Sequence, residues 1–429
     1  MVSTRSKSTI AVPADPNRIV AVVTGANSGF GLGICNALLS NLSVPSGSSI
    51  PVATAQVSAL SPSLASSFDA GAASTASAMP RPHPFLTLVL ACRSERNAKE
   101  ARDKILAQHR KDLEARRRSC VPVPEGWEES LRVEYELVDL DAMGGDKGVM
   151  AFTRRMKERY PHITSLFLNA GYAAINEVNI PRFMWQVITD GPLQALHHPR
   201  YNIEDVGLLS ADGERGRVWG VNVLAPYVLE LQSLLAASPK ELPFNPRVVY
   251  TSSIEAEADG LKAKPLDDPE LLTYESSYRA SKYMGDLVMT QLDRDLSPSG
   301  VRCLVAEPGC VSTNIAVSGL GAWQWLVKIK WACYWLSFWL ANLFGSPHHP
   351  VWAEYGAAPM LYAALVASVY LLPATKVPGP KVHVVAKRWA QPGVGYGEVD
   401  EWEKNEDVAK GEAVYCEQVR QQWRRKEGM

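Results

Sequence analysis

The chain has 429 residues, 46% of them hydrophobic and 21% charged, and its formal net charge at neutral pH is −1. This composition is typical of a globular protein with a large core, and the balanced charge excludes broad electrostatic binding of nucleic acid. The seven cysteines are widely scattered without a Cys-x-x-Cys pair. We therefore expect a reducing compartment and no zinc or other metal site.

Predicted strands and helices alternate along the first half of the chain. The polar residues 1–17 lack the apolar core of a secretory signal, so we expect a flexible segment on the cytosolic side. Residues 43–84 are rich in Ser, Ala, Pro and Gly without hydrophobic periodicity, which predicts a low-complexity insertion. Strands are predicted at 18–23, 85–92, 131–138 and 165–168, with helices at 32–39, 97–118 and 146–159. This alternation predicts an α/β fold with a Rossmann-like, doubly wound parallel sheet.

The alternation continues in the second half of the chain. Residues 172–212 are predicted to form an irregular insertion, and a long helix is predicted over 213–237. Further strands are predicted at 247–251 and 301–306, with a helix that begins near Ser277 between them. The predicted catalytic core is a single domain with insertions over residues 18–315.

The helix from Ser277 carries a tyrosine and a lysine four residues apart. Side chains at i and i+4 are neighbours on a helix, so the Lys282 ammonium can lie close to the Tyr278 phenol and favour its ionised form. A free tyrosine titrates near about 10, and a nearby positive charge lowers its pKa towards the range useful for a proton donor. The alternative for such a pair is a solvated helix face.

A glycine-rich turn lies between the first strand and the first helix. Its residues are Thr24-Gly25-Ala26-Asn27-Ser28-Gly29-Phe30-Gly31. Such a turn brings backbone N–H groups and a helix dipole to a pyrophosphate, whereas the alternative is a purely structural turn. Arg93 follows the second strand, where a basic residue accommodates a ribose 2′-phosphate, so NADP is favoured over NAD. The alternative for Arg93 is a cap on an exposed turn.

Three more strand ends carry residues suited to ligand binding. The carboxyl ends of parallel strands form the edge where ligands bind in open α/β sheets. The Ser253 hydroxyl can hydrogen-bond a substrate carbonyl as negative charge develops, although strand-end serines also serve as turn or cap residues. The strand-end residues are Asn169-Ala170-Gly171, Ser252-Ser253 and Pro308-Gly309.

In order and placement, these motifs resemble those of the short-chain dehydrogenase/reductase family over residues 18–315. They are the glycine turn, Asn169-Ala170-Gly171, Asn222, Ser253, Tyr278-x-x-x-Lys282 and Pro308-Gly309-x-Val311-x-Thr313. Further segments resemble the 3-keto-steroid reductases of sterol C4-demethylation. They are Leu90-Ala91-Cys92-Arg93, Leu168-Asn169-Ala170-Gly171, Ser210-Ala211-Asp212-Gly213 and Tyr250-Thr251-Ser252-Ser253. The chain departs from the family pattern at Ala225, where glycine is common, and in a long interval between Ser253 and Tyr278.

The resemblance implies an NADPH-dependent carbonyl reductase. Tyr278 would protonate the carbonyl oxygen, Ser253 would orient it, and Lys282 would tune Tyr278 and hold the nicotinamide ribose. Asn222 would support a water that links Lys282 to solvent. Further cofactor contacts are implied for Thr24, Gly25, Asn27, Ser28, Gly29, Phe30, Gly31, Arg93, Asp139, Leu140, Asn169, Ala170, Gly171, Pro308, Gly309, Val311 and Thr313.

Residues beyond the last motif are unusually aromatic. In residues 316–374, tryptophans beside Lys328 and Lys330 predict a substrate lid that dips into a membrane interface; the alternative is a buried helix or a dimer face. The tryptophans are Trp323, Trp325, Trp331, Trp335 and Trp339. We expect a core helix within 357–372 and, in the charged extension 375–429, a surface helix.

The resemblance and the aromatic segment together predict a function. We expect NADPH-dependent reduction of the C3 ketone of a sterol to the 3β-alcohol, at the cytosolic face of the endoplasmic reticulum membrane or on lipid droplets. Expected partners are the membrane surface, other sterol C4-demethylation enzymes and a second copy in a homodimer, but no nucleic acid. The alternatives are a reductase of another hydrophobic carbonyl, such as a retinoid, steroid or long-chain ketone, and a catalytically idle membrane scaffold.

Overall fold

The fold is seen in a computed structural model. It describes residues 15–44, 85–229, 231–240, 242, 245–311, 324–368, 371–375, 379–387, 389 and 391–428. The strands are β1 Arg18–Thr24, β2 Phe85–Cys92, β3 Arg132–Leu137, β4 Ser165–Leu168, β5 Ile175–Val178, β6 Asn202–Glu204, β7 Arg247–Thr251, β8 Arg302–Glu307, β9 Pro380–Val384 and β10 Val394–Glu398. Nearly all of the predicted insertion 43–84 lies outside the described residues.

Eight of these strands form the central sheet, in the order β10-β9-β8-β7-β4-β1-β2-β3. All neighbours are parallel except β10, which runs antiparallel to β9. The chain crosses from β3 back to β4, which pairs with the other side of β1, so the carboxyl ends of β1 and β4 form a topological switch point. The predicted doubly wound, mostly parallel sheet is confirmed.

Helices cover both faces of the sheet. They are α1 Gly29–Leu42, α2 Glu95–Arg118, α3 Trp127–Ser130, α4 Val149–Arg159, α5 Ile180–Thr189, α6 Pro192–His197, α7 Arg217–Trp219, α8 Ala225–Val228, α9 Gln232–Ala236, α10 Ser277–Leu296, α11 Gln324–Leu343, α12 Ala353–Gly356, α13 Ala358–Leu365 and α14 Trp402–Lys426. Alternate residues of β1 point to opposite faces: Ala21 packs in the cluster with α1 and α13, and Val22 in the cluster with α4 and α10. The predicted core helix within 357–372 is α13, whose residues are all buried.

The C-terminal extension is part of the core. Strand β9 pairs in parallel with β8, so the predicted core boundary at residue 315 is too early. Helix α14 keeps its charged face at the surface, as predicted, but it also packs along α10 and buries Trp402, Cys416 and Trp423. The sequence pattern missed this because α14 buries only a narrow stripe and keeps its many charges on the outer face.

The predicted irregular insertion 172–212 is structured. It contains the two-stranded ladder β5–β6 and the short helices α5 and α6. These elements follow one another within a few residues, so none is long enough for its hydrophobic period to be recognised in the sequence.

The predicted long helix over 213–237 is broken. After α7, residues Gly220–Leu224 form a π-helical turn, and α8 ends at Val228 before α9 begins. Pro226 has no N–H to donate to the carbonyl of Asn222 four residues earlier. That carbonyl instead accepts a hydrogen bond from the Tyr250 hydroxyl at 3.1 Å. The proline thus explains both the irregular turn and the contact with β7.

One helical stretch of the described residues has the length and composition of a membrane span. It covers Arg217–Ala236 and includes α7, α8 and α9. Because 82% of this stretch is buried inside the protein, packing in the core accounts for its apolar character.

Close contact between α10 and β7 yields a test of the packing. A Cβ atom added at Gly285 would lie 2.1 Å from the Tyr250 hydroxyl oxygen, whereas one added at Gly220 would meet no atom within 4 Å. We predict that Gly285→Ala lowers the free energy of unfolding by roughly 1–3 kcal/mol through overpacking, as measured by urea denaturation. Gly220→Ala, also at a helical glycine, should not lower it. Equal stability of the two variants would contradict this packing.

Candidate active site

The glycine turn is tightly packed against the end of β4. Gly25 has a φ of +68°, which favours glycine. A Cβ atom on Gly31 would lie 2.4 Å from the Gly25 carbonyl oxygen and 2.7 Å from Asn169 Nδ2. Helix α1 begins at Gly29 and has no acidic residue in its first turn. Its amino end is therefore open to an anion.

Thr24 fastens this turn to the switch point. Its buried hydroxyl donates to the Phe167 carbonyl at 3.2 Å and accepts from the N–H groups of Asn169 and Ala170, both at 2.9 Å. The Asn169 side chain donates to the Thr24 carbonyl at 2.9 Å. Hydrogen bonds of Thr24 with Asn169 and Ala170 thus join the carboxyl ends of β1 and β4, where the cofactor contacts are predicted.

The residues predicted to contact the adenosine half lie along the same edge. Arg93 is exposed directly after β2. Asp139 and buried Leu140 follow the neighbouring strand β3, and Asp139 Oδ1 accepts from the Asp141 N–H at 3.2 Å. Because β1, β2 and β3 are parallel neighbours, their carboxyl ends bring these residues to one side of the glycine turn.

Helix α10 carries Lys282 into the interior. Lys282 is only 4% exposed, and its Nζ donates to the Thr251 carbonyl at 2.9 Å. Burial lowers the pKa of Lys282 to about 8, and the carboxylate of Asp286, one turn further along α10, opposes this shift. Lys282 Nζ lies 5.8 Å from the centre of the Tyr278 ring. The predicted pair is therefore brought together.

The pKa of Tyr278 shifts opposite to the sequence-based expectation. Burial raises it, the negative charge of Glu255 raises it further, and a hydrogen bond with the Ser253 side chain acts in the other direction. The expectation that Lys282 would lower it is wrong, because the ammonium is held at the Thr251 carbonyl and the phenol is desolvated. A raised pKa keeps Tyr278 protonated, as a proton donor to a carbonyl must be.

Ser252 and Ser253 have different roles. The Ser252 hydroxyl donates to the buried Asp286 carboxylate at 2.7 Å, which makes it a structural group. Ser253 Oγ accepts from the Glu255 N–H at 3.2 Å, and its side chain is close enough to Tyr278 to oppose the rise in the pKa of the phenol. Of the two serines, Ser253 is therefore the one beside Tyr278.

Asn222 joins three segments of the site. Its Oδ1 accepts from the Tyr172 N–H, and its Nδ2 donates to the Tyr172 carbonyl and to Ser281 Oγ, each at 2.8 Å. A Cβ atom on Gly171 would lie 3.3 Å from Asn222 Oδ1 and 3.5 Å from Lys282 Nζ. Asn222 thus holds the end of β4 against α10.

The last strand-end motif is partly described. Pro308 and Gly309 follow β8; Gly309 has a φ of +69°. Val311 forms a bridge with Val351, and a Cβ atom on Gly356 would lie 2.3 Å from a Val311 methyl carbon. The predicted contact of Thr313 with the cofactor lies outside the described residues.

Sequence comparisons agree with this geometry. No family model matches the chain. A 3-keto-steroid reductase of Schizosaccharomyces pombe is 26% identical over 353 residues, covering 82% of this chain and 83% of the relative. One from Eremothecium gossypii is 30% identical over 236 residues, covering 55% of this chain and 62% of the relative. The chain is a relative of the 3-keto-steroid reductases.

The resemblance to 3-keto-steroid reductases drawn from the motifs is thus confirmed. Similarity extends to a human protein named 3-keto-steroid reductase/17-beta-hydroxysteroid dehydrogenase 7, which is 24% identical over 311 residues, 72% of this chain and 70% of the relative. The chain spans 62% and 64% of the lengths of the first two fungal reductases that it matches.

Sequence reasoning missed a buried ion-pair network beneath the site. Lys381 Nζ, on β9, lies 2.9 Å from Glu307, 3.3 Å from Asp286 and 3.4 Å from the Ser253 carbonyl oxygen. Lys381 thus links α10, the end of β8 and the Ser253 backbone. The only sequence signal was a lysine within the short β-branched run at 380–384.

Glu204 is a second residue that the sequence did not reveal. It lies on β6 of the insertion and accepts from Ser277 Oγ at 2.7 Å and the Tyr278 N–H at 2.9 Å. Glu204 therefore satisfies N–H and O–H groups at the start of α10 and fixes the helix turn that carries Tyr278. It was missed because the insertion was expected to be irregular.

A cavity of about 870 Å³ opens beside Tyr278, which is within the size range of small-molecule pockets. The insertion forms one wall through Trp185, Ile203 and Val206, and Glu255 lies on the other. Burial raises the pKa of Glu255 to about 7, so this carboxyl group changes charge near neutral pH. The insertion and Tyr278 thus line one cavity.

The aromatic segment forms α11. Trp335 packs edge-on against Trp339 and Trp352, while Leu336, Leu340 and Phe344 are 54%, 43% and 79% exposed. Trp323 lies outside the described residues. This helix is therefore not fully buried in the chain, at least over the turns whose side chains are described.

Because Lys282 is buried, we predict that replacing it lowers activity but raises the free energy of unfolding. With its pKa lowered to about 8, charged Lys282 reduces the free energy of unfolding at neutral pH. Lys282→Met should abolish turnover and yet raise the free energy of unfolding by roughly 1–3 kcal/mol at pH 7. Between pH 8 and 10.5 the gain should shrink, because wild-type Lys282 becomes neutral in the folded state and wild-type stability rises.

Urea denaturation across this pH range tests the prediction. Exposed Lys264→Met is the matched control and should show no such pH dependence. A Lys282→Met protein that is less stable than wild type at every pH would show that the buried ammonium is not a destabilising charge.

Proposed function

We propose that this protein reduces the C3 ketone of a sterol intermediate to the 3β-alcohol, with NADPH as the reductant. The observation that carries the proposal is the grouping of Tyr278, which lines the cavity, with the neighbouring Ser253 and the buried ammonium of Lys282. The relatives named 3-keto-steroid reductases support the choice of a sterol ketone.

The residues at the sheet edge fit a dinucleotide. Gly25 and Gly31 let the turn pack closely against Asn169 and Ala170, and the amino end of α1 lacks acidic residues. Exposed Arg93 supplies a positive charge for a 2′-phosphate, which favours NADPH. When bound, NADPH supplies the hydride that the ketone carbon accepts.

The chain's own residues supply the proton and orient the ketone. The Ser253 hydroxyl holds the carbonyl oxygen, and Tyr278 transfers its phenolic proton to that oxygen as hydride reaches the carbon. The resulting tyrosinate regains its proton from solvent. The sum is one hydride and one proton added across the C=O bond.

The two alternative functions have less support than reduction of a sterol ketone. A catalytically idle scaffold would not need Ser253, Tyr278 and Lys282 in one place. The second alternative is a reductase of another hydrophobic carbonyl, which would use the same Ser253, Tyr278 and Lys282. Comparing turnover of a 4-methyl-3-keto-sterol with that of a retinoid ketone and a long-chain ketone distinguishes these substrates.

We also propose that the protein works at the cytosolic face of the endoplasmic reticulum membrane, where sterol ketones dissolve. The exposed Leu336, Leu340, Leu343 and Phe344 on and after α11 support contact with a membrane surface. Other sterol C4-demethylation enzymes and a second copy of the chain are the further partners that we propose.

Removal of the phenol tests the proposed acid. Tyr278→Phe should lower turnover of the sterol ketone by about 10²–10⁴-fold, while the Kd for NADPH, measured by nicotinamide fluorescence, should stay within about threefold. Tyr227→Phe, which removes a distant hydroxyl bonded to Glu417, is the control and should retain activity. Full turnover by Tyr278→Phe would show that another group donates the proton.

Reversal of one charge tests the cofactor assignment. Arg93→Asp should weaken NADPH binding by about 10–100-fold, because a charge-assisted contact to the 2′-phosphate is replaced by repulsion. NADH binding should change little. Arg96→Asp, also exposed on the first turn of α2, is the control. An unchanged preference for NADPH in Arg93→Asp would rule out this role of Arg93.

A further inference from the structure

Three potential metal ligands from separate segments meet beside the predicted cofactor edge. His197 ends α6, Cys310 lies between Gly309 and Val311 after β8, and His349 precedes α12. Their ligand atoms all lie within 4.8 Å of one another. Within the residues that the structure describes, no other such group of three is found. Spacing along the sequence gave no sign of it, because the three residues are far apart in the chain.

The two imidazoles have free, buried ligand atoms. His349 is fully buried, and neither its Nε2 nor the buried Nε2 of His197 has a hydrogen-bond partner. An unpartnered buried polar atom is unfavourable unless a ligand satisfies it. The His349 Nδ1 lies 2.8 Å from Ser346 Oγ. When Nδ1–H donates to this hydroxyl, the Nε2 lone pair is free, as in histidines that bind metals.

Metal binding requires particular protonation states of the three ligands. A metal ion binds neutral imidazole rings and a thiolate. Binding at Cys310 therefore displaces the thiol proton to solvent, and the metal–thiolate bond replaces the S–H bond.

We propose that His197, Cys310 and His349 form a binding site for a divalent transition metal ion, with zinc as the best match. Two imidazoles and one thiolate are a borderline-soft donor set that suits Zn²⁺. Ligand atoms of a tetrahedral zinc site lie roughly 3.3–3.8 Å apart. Because the three ligand atoms are separated by no more than 4.8 Å, small movements of the side chains bring them into this range.

The site leaves a fourth coordination position open and has a structural consequence. A bound ion ties the insertion, through His197, to the loop before α12, through His349. The third ligand, Cys310, lies between Gly309 and Val311, which are predicted to contact the cofactor. The ion thus joins the two segments flanking the site without taking part in hydride transfer.

Cobalt is a direct probe, because a Co²⁺–thiolate bond absorbs in the near ultraviolet and a tetrahedral Co²⁺ centre absorbs in the visible. We expect chelator-treated full-length protein to bind one Co²⁺ per chain with both absorptions, and Zn²⁺ to displace it. Cys310→Ser should lose the thiolate absorption, and His349→Gln should weaken binding more than about tenfold. Exposed Cys120→Ser and neighbouring His198→Gln are the controls and should behave as wild type.

Thermal unfolding supplies a second readout that does not use activity. Zn²⁺ should raise the Tm of the wild type and of Cys120→Ser but not that of Cys310→Ser. If His349→Gln does not fold, the comparison of Cys310→Ser with Cys120→Ser tests the proposal. The proposal is overturned if the wild type shows no thiolate–cobalt absorption, or if Cys120→Ser rather than Cys310→Ser abolishes it.

Discussion

The site depends on the burial of one ammonium group. Lys282 Nζ is held 2.9 Å from the Thr251 carbonyl oxygen, almost out of contact with water. An isolated buried charge is unfavourable, so its surroundings must be fixed. Asp286 one turn away supplies negative charge, and Lys381 and Ser252 in turn hold Asp286. The position and charge of Lys282 are thus set by a network that extends to β9.

The same helix is held from its other sides by less obvious features. Because Pro226 has no N–H, the Asn222 carbonyl accepts a hydrogen bond from the Tyr250 hydroxyl instead. The Tyr250 ring in turn packs against α10 at Gly285, where a Cβ atom would collide with it. Glu204 from the insertion satisfies the first turn of α10, and α14 packs along its length. The elements that looked peripheral in the sequence are those that position Tyr278.

The sequence predicts the parts of this molecule that have strong local signals. The buried runs of β1, β2 and β4, the glycine turn and the Tyr278–Lys282 spacing were recognisable because each follows from a short-range pattern. Lys381, Glu204 and the role of α14 were not, since each acts through a contact between distant segments. The pKa of Tyr278 was predicted in the wrong direction, because helix spacing describes its neighbours and not its desolvation.

The central claim is that Tyr278 and NADPH together add hydrogen across a sterol C3 carbonyl. The most direct measurement uses NADPH deuterated at the transferable position, a 4-methyl-3-keto-sterol and mass spectrometry of the product. The account predicts a 3β-alcohol with one deuterium on C3 from the wild type, and about 10²–10⁴-fold less of it in the same time from Tyr278→Phe. Absence of the labelled alcohol with wild-type protein that binds NADPH would contradict it.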